Sequence, residues 1–194
     1  MVNIVNVGYA STNCYLVGPD SSRLLVDVGW PETLPRLLAV LQRKGARPRE
    51  IVALLVTHYH PDHAGLAQEI KAQGIQLVVL QSQVAAIPDL LKIMKPRDHY
   101  REITLDDNLV VDTPASRAFL LRLGISGEVI STPGHSDDSA TLVLDEGLAF
   151  TGDLPGPEQA TEEARSQVLR SWERIRAHHV HTVYPGHGPV RPLA

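Results

Sequence analysis

The heptapeptide Thr57-His58-Tyr59-His60-Pro61-Asp62-His63 follows directly on the apolar run Ala53–Val56 and places four metal-capable side chains within six residues. An uninterrupted apolar tetrapeptide reads as a strand buried on both faces. In the extended part of the heptapeptide, residues two apart face the same side, so His58 and His60 can reach one common ion. Past Pro61, which suits the first turn of a helix, the chain changes direction and aims Asp62 and His63 elsewhere, toward a second ion.

Three later segments repeat the arrangement with one ligand each. They are Thr132-Pro133-Gly134-His135-Ser136, Thr151-Gly152-Asp153 and Tyr184-Pro185-Gly186-His187-Gly188. Each sets a ligand-capable side chain just past a strand-like run, beside a glycine that lets backbone approach closely. Singly, each also reads as an ordinary turn. Together with the first cluster they point to a metal centre at the ends of several strands.

Around these segments the pattern predicts strands at Val2–Val7, Cys14–Val17, Leu24–Asp27, Leu77–Leu80, Glu128–Ser131, Thr141–Leu144, Leu148–Thr151 and Val180–Tyr184. Helices are expected at Pro31–Lys44, with Leu34, Leu37, Leu38 and Leu41 facing the core, and at Asp62–Gln73 and Glu158–Ala177. A further helix, Ser82–Met94, should be interrupted or kinked at Pro88. Lys95–Gly127 mixes charge, proline and apolar residues and carries no clear assignment. This order fits two helix-covered sheets better than one doubly wound sheet.

The 194 residues are expected to form one domain, 1–194, with 43% hydrophobic and 21% charged residues fitting a globular chain. A net charge of −4 gives nucleic acid no global electrostatic drive. Cys14 is the single cysteine, so an internal disulfide is excluded and a reducing, cytoplasmic compartment is expected. Met1–Ala10 has no basic, apolar leader pattern, and the longest apolar run, Ile51–Val56, is too short to span a bilayer.

From Leu25-Val26-Asp27-Val28-Gly29 through the histidine cluster to Gly186-His187-Gly188, the sequence resembles the metallo-β-lactamase-fold hydrolases, especially their glyoxalase II-like branch. The resemblance implies a mixed α/β fold, a four-layer αββα sandwich, with metals at the edge of the two sheets. It implies that His58, His60 and His135 hold one ion and that Asp62, His63 and His187 hold the other. Asp153 would bridge both, and Asp27 would support the ligand loop without binding metal. The nitrogen and oxygen donors suit two divalent ions, zinc first, with iron or manganese also compatible.

The activity implied is cleavage of a small ester, thioester or lactone by a bridging hydroxide, with Asp62 both ligand and acceptor orienting the nucleophile. A mononuclear iron persulfide dioxygenase, using only His58, His60 and His135, and a phosphodiesterase are the alternatives on this fold. Only seven residues follow His187, so the glutathione-binding extension of glyoxalase II is expected to have no counterpart. Zinc β-lactamases lack the bridging aspartate, whereas Asp153 is in place. Two divalent ions outweigh Asp62, Asp153 and one hydroxide by about one positive charge, which favours an anionic small-molecule substrate.

For substrate contacts, Lys92–Tyr100 offers Arg97 or Lys95 as an anion clamp, with His99 and Tyr100 beside them. Tyr59 either donates to an oxyanion or packs. Asp137 and Asp138 are expected to cap the next element or to bond His135. His178, His179 and His181 read as structural, and Trp30 and Trp172 as packing or lid residues. The oligomeric state stays open, a homodimer included.

Overall fold

The apolar runs become the strands of two sheets. In the computed structural model, which describes residues 2–193, the first sheet is β1 (Ile4–Asn6), β2 (Tyr15–Val17), β3 (Arg23–Val26), β4 (Ile51–Leu55), β5 (Gln76–Leu80) and β6 (Leu109–Val111), side by side in that order. β1 to β3 are antiparallel and β3 to β6 parallel. Parallel neighbours need long crossovers. These are α1 (Leu34–Arg43) after β3, α2 (Pro61–Ala64) and α3 (Ala67–Lys71) after β4, and α4 (Ile87–Ile93) after β5.

Next along the chain come α5 (Thr113–Arg122), β7 (Gly127–Ser131), β8 (Ala140–Leu144), β9 (Leu148–Gly152), α6 (Arg165–Ala177), β10 (Thr182–Pro185) and β11 (Arg191–Pro192). The second sheet has the order β11-β10-β9-β8-β7, with α6 making the crossover between the parallel pair β9 and β10.

Side-chain alternation sorts the strand residues into three separate cores. Leu16, Leu25, Leu54 and Val79 face α1–α4, whereas their neighbours Tyr15, Leu24, Leu55 and Val78 meet Leu142, Leu144 and Phe150 of the second sheet. The outer face of that second sheet, through Val143, Ala149 and Val183, packs on Val168, Trp172 and Ile175 of α6. Three cores between four layers define the expected αββα sandwich.

Several elements differ from the sequence pattern. The expected helix Asp62–Gln73 is two short helices, parted at Gly65 and Leu66, where Gly65 packs so closely on Pro31 that a Cβ would collide with it. In α1 the buried residues are Leu37, Val40 and Leu41, while Leu38 faces solvent. The Ser82–Met94 helix begins as a 3-10 segment, Gln81–Ala86, and becomes α-helical at Ile87, beside Pro88.

Two longer stretches differ as well. The unassigned Lys95–Gly127 contains β6 and α5, the latter capped by Asp112, whose carboxylate accepts from the Ala115 amide at 2.8 Å. The expected helix Glu158–Ala177 starts only at Arg165, and residues 155–160 instead form a loop.

The topology gives the site its location. β7, β9 and β10 run in one sense in the second sheet, so the loops after them lie at one edge, and the Ala140 amide, at the same edge, donates to the Thr57 carbonyl in the loop after β4. His58 and His60 follow β4, His135 follows β7, Asp153 follows β9 and His187 follows β10.

Candidate metal centre

The seven histidines and aspartates converge. His58, His60 and His135 present ligand atoms within 4.8 Å of one another, and so do Asp62, His63 and His187. A third such group, His58, His63 and Asp153, overlaps both. One carboxylate reaches both sides: Asp153 Oδ2 lies 3.7 Å from His135 Nε2 and 3.4 Å from His187 Nε2. His58 and His63 form a buried floor, whereas His135 and His187 stand at an exposed rim.

These side chains fit cations better than they fit each other. His58 Nε2 is buried without a hydrogen-bond partner, and His63 Nε2 and Asp153 Oδ1, 3.3 Å apart, are buried without a well-aligned one, a costly state for three polar atoms in one place. His60 Nδ1 and His135 Nε2 face each other at 3.0 Å, where two neutral acceptor nitrogens repel unless a proton or cation lies between them.

The electrostatics agree. Burial depresses the His58 pKa, and the neighbouring histidines push it further down, so this ring stays a neutral donor. His63 is pushed up to about 10, because burial is outweighed by the Asp27 and Asp153 carboxylates. The negative potential that holds a proton on His63 equally attracts a metal cation. Burial lowers His135 as well, with Asp153 opposing and His60 and His63 assisting.

The ligand loop is held by residues around it. Asp27, itself buried, accepts from the Thr57 amide at 2.7 Å and its hydroxyl at 2.8 Å, and faces His63 Nδ1 at 2.8 Å. That contact leaves His63 Nε2 to the centre. Asp27→Asn should lower metal affinity by about 10–100-fold, read by chelator competition, because the imidazole loses its anionic partner. Unchanged affinity would remove this role.

Sequence reasoning missed three of the supports. Buried Gln83 donates to the carbonyls of Val56 and Thr57 at 3.0 and 3.1 Å, and Asp138 accepts from the Tyr59 amide at 2.7 Å. Asn13 donates to the carbonyls of Pro185 and Gly188 at 3.0 and 2.8 Å, fixing the His187 loop. The Ser11 carbonyl lies 2.6 Å from His187 Nδ1. Of the expected roles for Asp138, the bond to Tyr59 replaces both capping and contact with His135.

None of the expected substrate residues lines the cleft beside His135 and His187, although Tyr59 borders a separate cavity with His60. The Tyr59 ring is buried in the core beneath α1–α4, where Tyr100 packs against the same core. Arg97 is 78% exposed beside Asp98, and His99 contacts Glu32 at 2.6 Å. Neither Arg97, His99 nor Tyr100 lines the cleft of about 520 Å³ that opens beside the ligands. That cleft is walled by His135, Asp153, Pro155, Glu158, His187 and Arg191.

An αββα sandwich with histidine and aspartate donors gathered at one sheet edge defines the class of protein. Residues 7–187 match the model of the metallo-beta-lactamase superfamily, and the chain belongs to that superfamily. It is 31% identical over 196 residues to the beta-lactamase-like protein 2 homolog of Drosophila melanogaster, a match covering 92% of this chain and 59% of that protein. It is 28% identical over 189 residues to the atrochrysone carboxyl ACP thioesterase of Claviceps purpurea, covering 94% and 52%. The chain thus spans between half and three-fifths of the length of these curated relatives. A metallo-beta-lactamase family protein from Thermus thermophilus shares the fold, with a TM-score of 0.73 and 21% identity over 99% of this chain and 74% of that one. Among the described residues, no helix is long and apolar enough to cross a membrane.

Proposed function

We propose that the protein is a dinuclear metal-dependent hydrolase of a small ester, thioester or lactone. The observation that carries this reading is the pair of ligand groups joined through Asp153. In it His58, His60 and His135 would hold one ion, Asp62, His63 and His187 would hold the second, and Asp153 stands within reach of both groups. Zinc suits these donors first, and iron or manganese are compatible. Bound there, two divalent cations supply the Lewis acidity that acidifies a water and polarises a carbonyl.

The remaining work falls to the chain itself. Asp62 Oδ2 lies 3.1 Å from His187 Nε2 and 3.3 Å from the Thr12 hydroxyl, which donates to it. A carboxylate so held accepts the proton of an attacking water and can return it to the leaving group. The cleft beside His135 and His187 admits the acyl compound from the exposed rim.

A mononuclear dioxygenase leaves the convergence of Asp62, His63 and His187 without a purpose, which favours hydrolysis. The thioesterase named among the relatives supports a thioester within the substrate class. The test is metal analysis of the as-purified protein, followed by thioester, lactone, phosphodiester and persulfide substrates. About two ions per chain and loss of turnover in EDTA are expected. Ester hydrolysis by metal-free protein, or persulfide oxidation with one iron per chain, would defeat the proposal.

A further inference from the structure

We infer that Arg191 is the specificity-determining residue of the cleft and selects acyl substrates that carry a carboxylate or phosphate. The inference rests on the hydrolase reading and names the substrate class within it. Arg191 lines the same cleft as His135, Asp153 and His187, and its guanidinium lies over the Trp172 ring at 5.4 Å from the centroid. Among the described residues it makes no side-chain hydrogen bond, and no carboxylate lies within 4.0 Å of it. A half-buried cation in a cavity wall, with its N–H fork unspent, is a receptor for a planar or tetrahedral anion.

Its position is fixed from two directions. Trp172 is 1% exposed and donates its indole N–H to the Pro155 carbonyl at 2.8 Å, so the ring under Arg191 is anchored to another residue of the cleft wall. Arg191 also pairs in antiparallel register with Val183, and the β10–β11 hairpin that makes this pair carries His187 in its connecting loop. The anion receptor and one of the metal-type donors, His187, therefore belong to one hairpin, which ties the place of the substrate's anionic group to that donor. Arginine stacked on indole keeps its fork pre-organised, which lysine at the same place cannot do.

Selection in this cleft works through the contact an anion gains, not through a penalty on a neutral ligand. Glu158, in the same wall, opposes an anion in the cleft, and among the described residues that line it Arg191 is the one lysine or arginine that offsets this charge. A neutral substrate forgoes the arginine contact but meets no penalty, so it should turn over with a higher KM.

The test compares three thioesters of equal length, ending in a carboxylate, a phosphate or a methyl ester, on as-purified wild type, Arg191→Ala and Arg191→Lys. Wild type should prefer one of the anionic compounds. Arg191→Ala should raise its KM by about 10–100-fold, the range of one charge-assisted contact, while kcat on the methyl ester stays within about twofold. Arg191→Lys should restore only part of the loss. Calorimetric titration of wild type and Arg191→Ala with succinate and glycerol phosphate reads binding without turnover, and the variant should bind the preferred anion about tenfold more weakly.

Equal KM ratios and equal Kd values in wild type and Arg191→Ala would overturn the inference. Absence of any thioester turnover would overturn the hydrolase reading instead, and the titrations would still decide Arg191. Near-ultraviolet circular dichroism of Trp172 checks that the shelf is intact in each variant.

Discussion

Asp62→Asn should lower kcat by about 10²–10⁴-fold, the usual contribution of a positioned proton acceptor, while leaving the unfolding midpoint close to wild type. The side chain is 20% exposed and sits on a four-residue helix, so the substitution neither opens a cavity nor buries a new charge. The asparagine amide keeps the shape and one oxygen, and it accepts from Thr12 as before. What disappears is the capacity to take a proton. Because Asp62 is also proposed as a ligand, metal content must be measured alongside. If excess metal restores wild-type rates, Asp62 acts only as a ligand. If occupancy is full and kcat remains low, its proton role stands.

The convergent histidines and aspartates were legible because their chemistry is local. Each of His58, His135, Asp153 and His187 lies just past an apolar run, and each later one has a glycine within one residue. The supports were not legible, because they act across the fold. Gln83 holds carbonyls 26 and 27 residues away, Asp138 an amide 79 residues away, and Asn13 a carbonyl 172 residues away. No local pattern distinguishes such residues from solvated polar side chains. Only the packed sheets bring them to their partners.

The cleft shows the same division. Arg97 stands out in the sequence because basic residues crowd its neighbourhood, yet it points into solvent. Arg191 stands alone in sequence and gains its place from a two-residue strand, β11, too short to signal itself. β6 is no shorter than β1 and β2, which the pattern does show, but it follows a charged loop that masks it, and α5 begins with Thr-Pro beside an aspartate cap that reads equally as a turn. A two-residue strand is defined by pairing, not by propensity.

Gly186→Ala should remove one of the two ions and lower activity by at least about 100-fold, through a single methyl group that touches no substrate. A Cβ at this position lies 2.5 Å from Asp153 Oδ1, 2.6 Å from His63 Cε1 and 3.1 Å from the Gly152 carbonyl carbon. Asp153 can swing aside only by leaving its place between His135 and His187, and the other two contacts give way less easily. The His63 ring is completely buried and faces Asp27 at 2.8 Å, and the Gly186 amide itself donates to the Gly152 carbonyl at 2.8 Å. The loop carrying His187 must therefore move outward, taking that ligand from Asp62 and Asp153.

Gly188→Ala, two residues on, is the control. A Cβ there meets nothing within 4 Å, but the φ of +77° costs about 1–2 kcal/mol in backbone strain. Metal analysis of the two variants separates the causes. One ion in Gly186→Ala against two in Gly188→Ala ascribes the loss to the crowded contact of Asp153, His63 and the His187 loop. Equal loss in both would ascribe it to general strain in that loop, and full occupancy in Gly186→Ala would show that the two ligand groups are not tied together through this glycine.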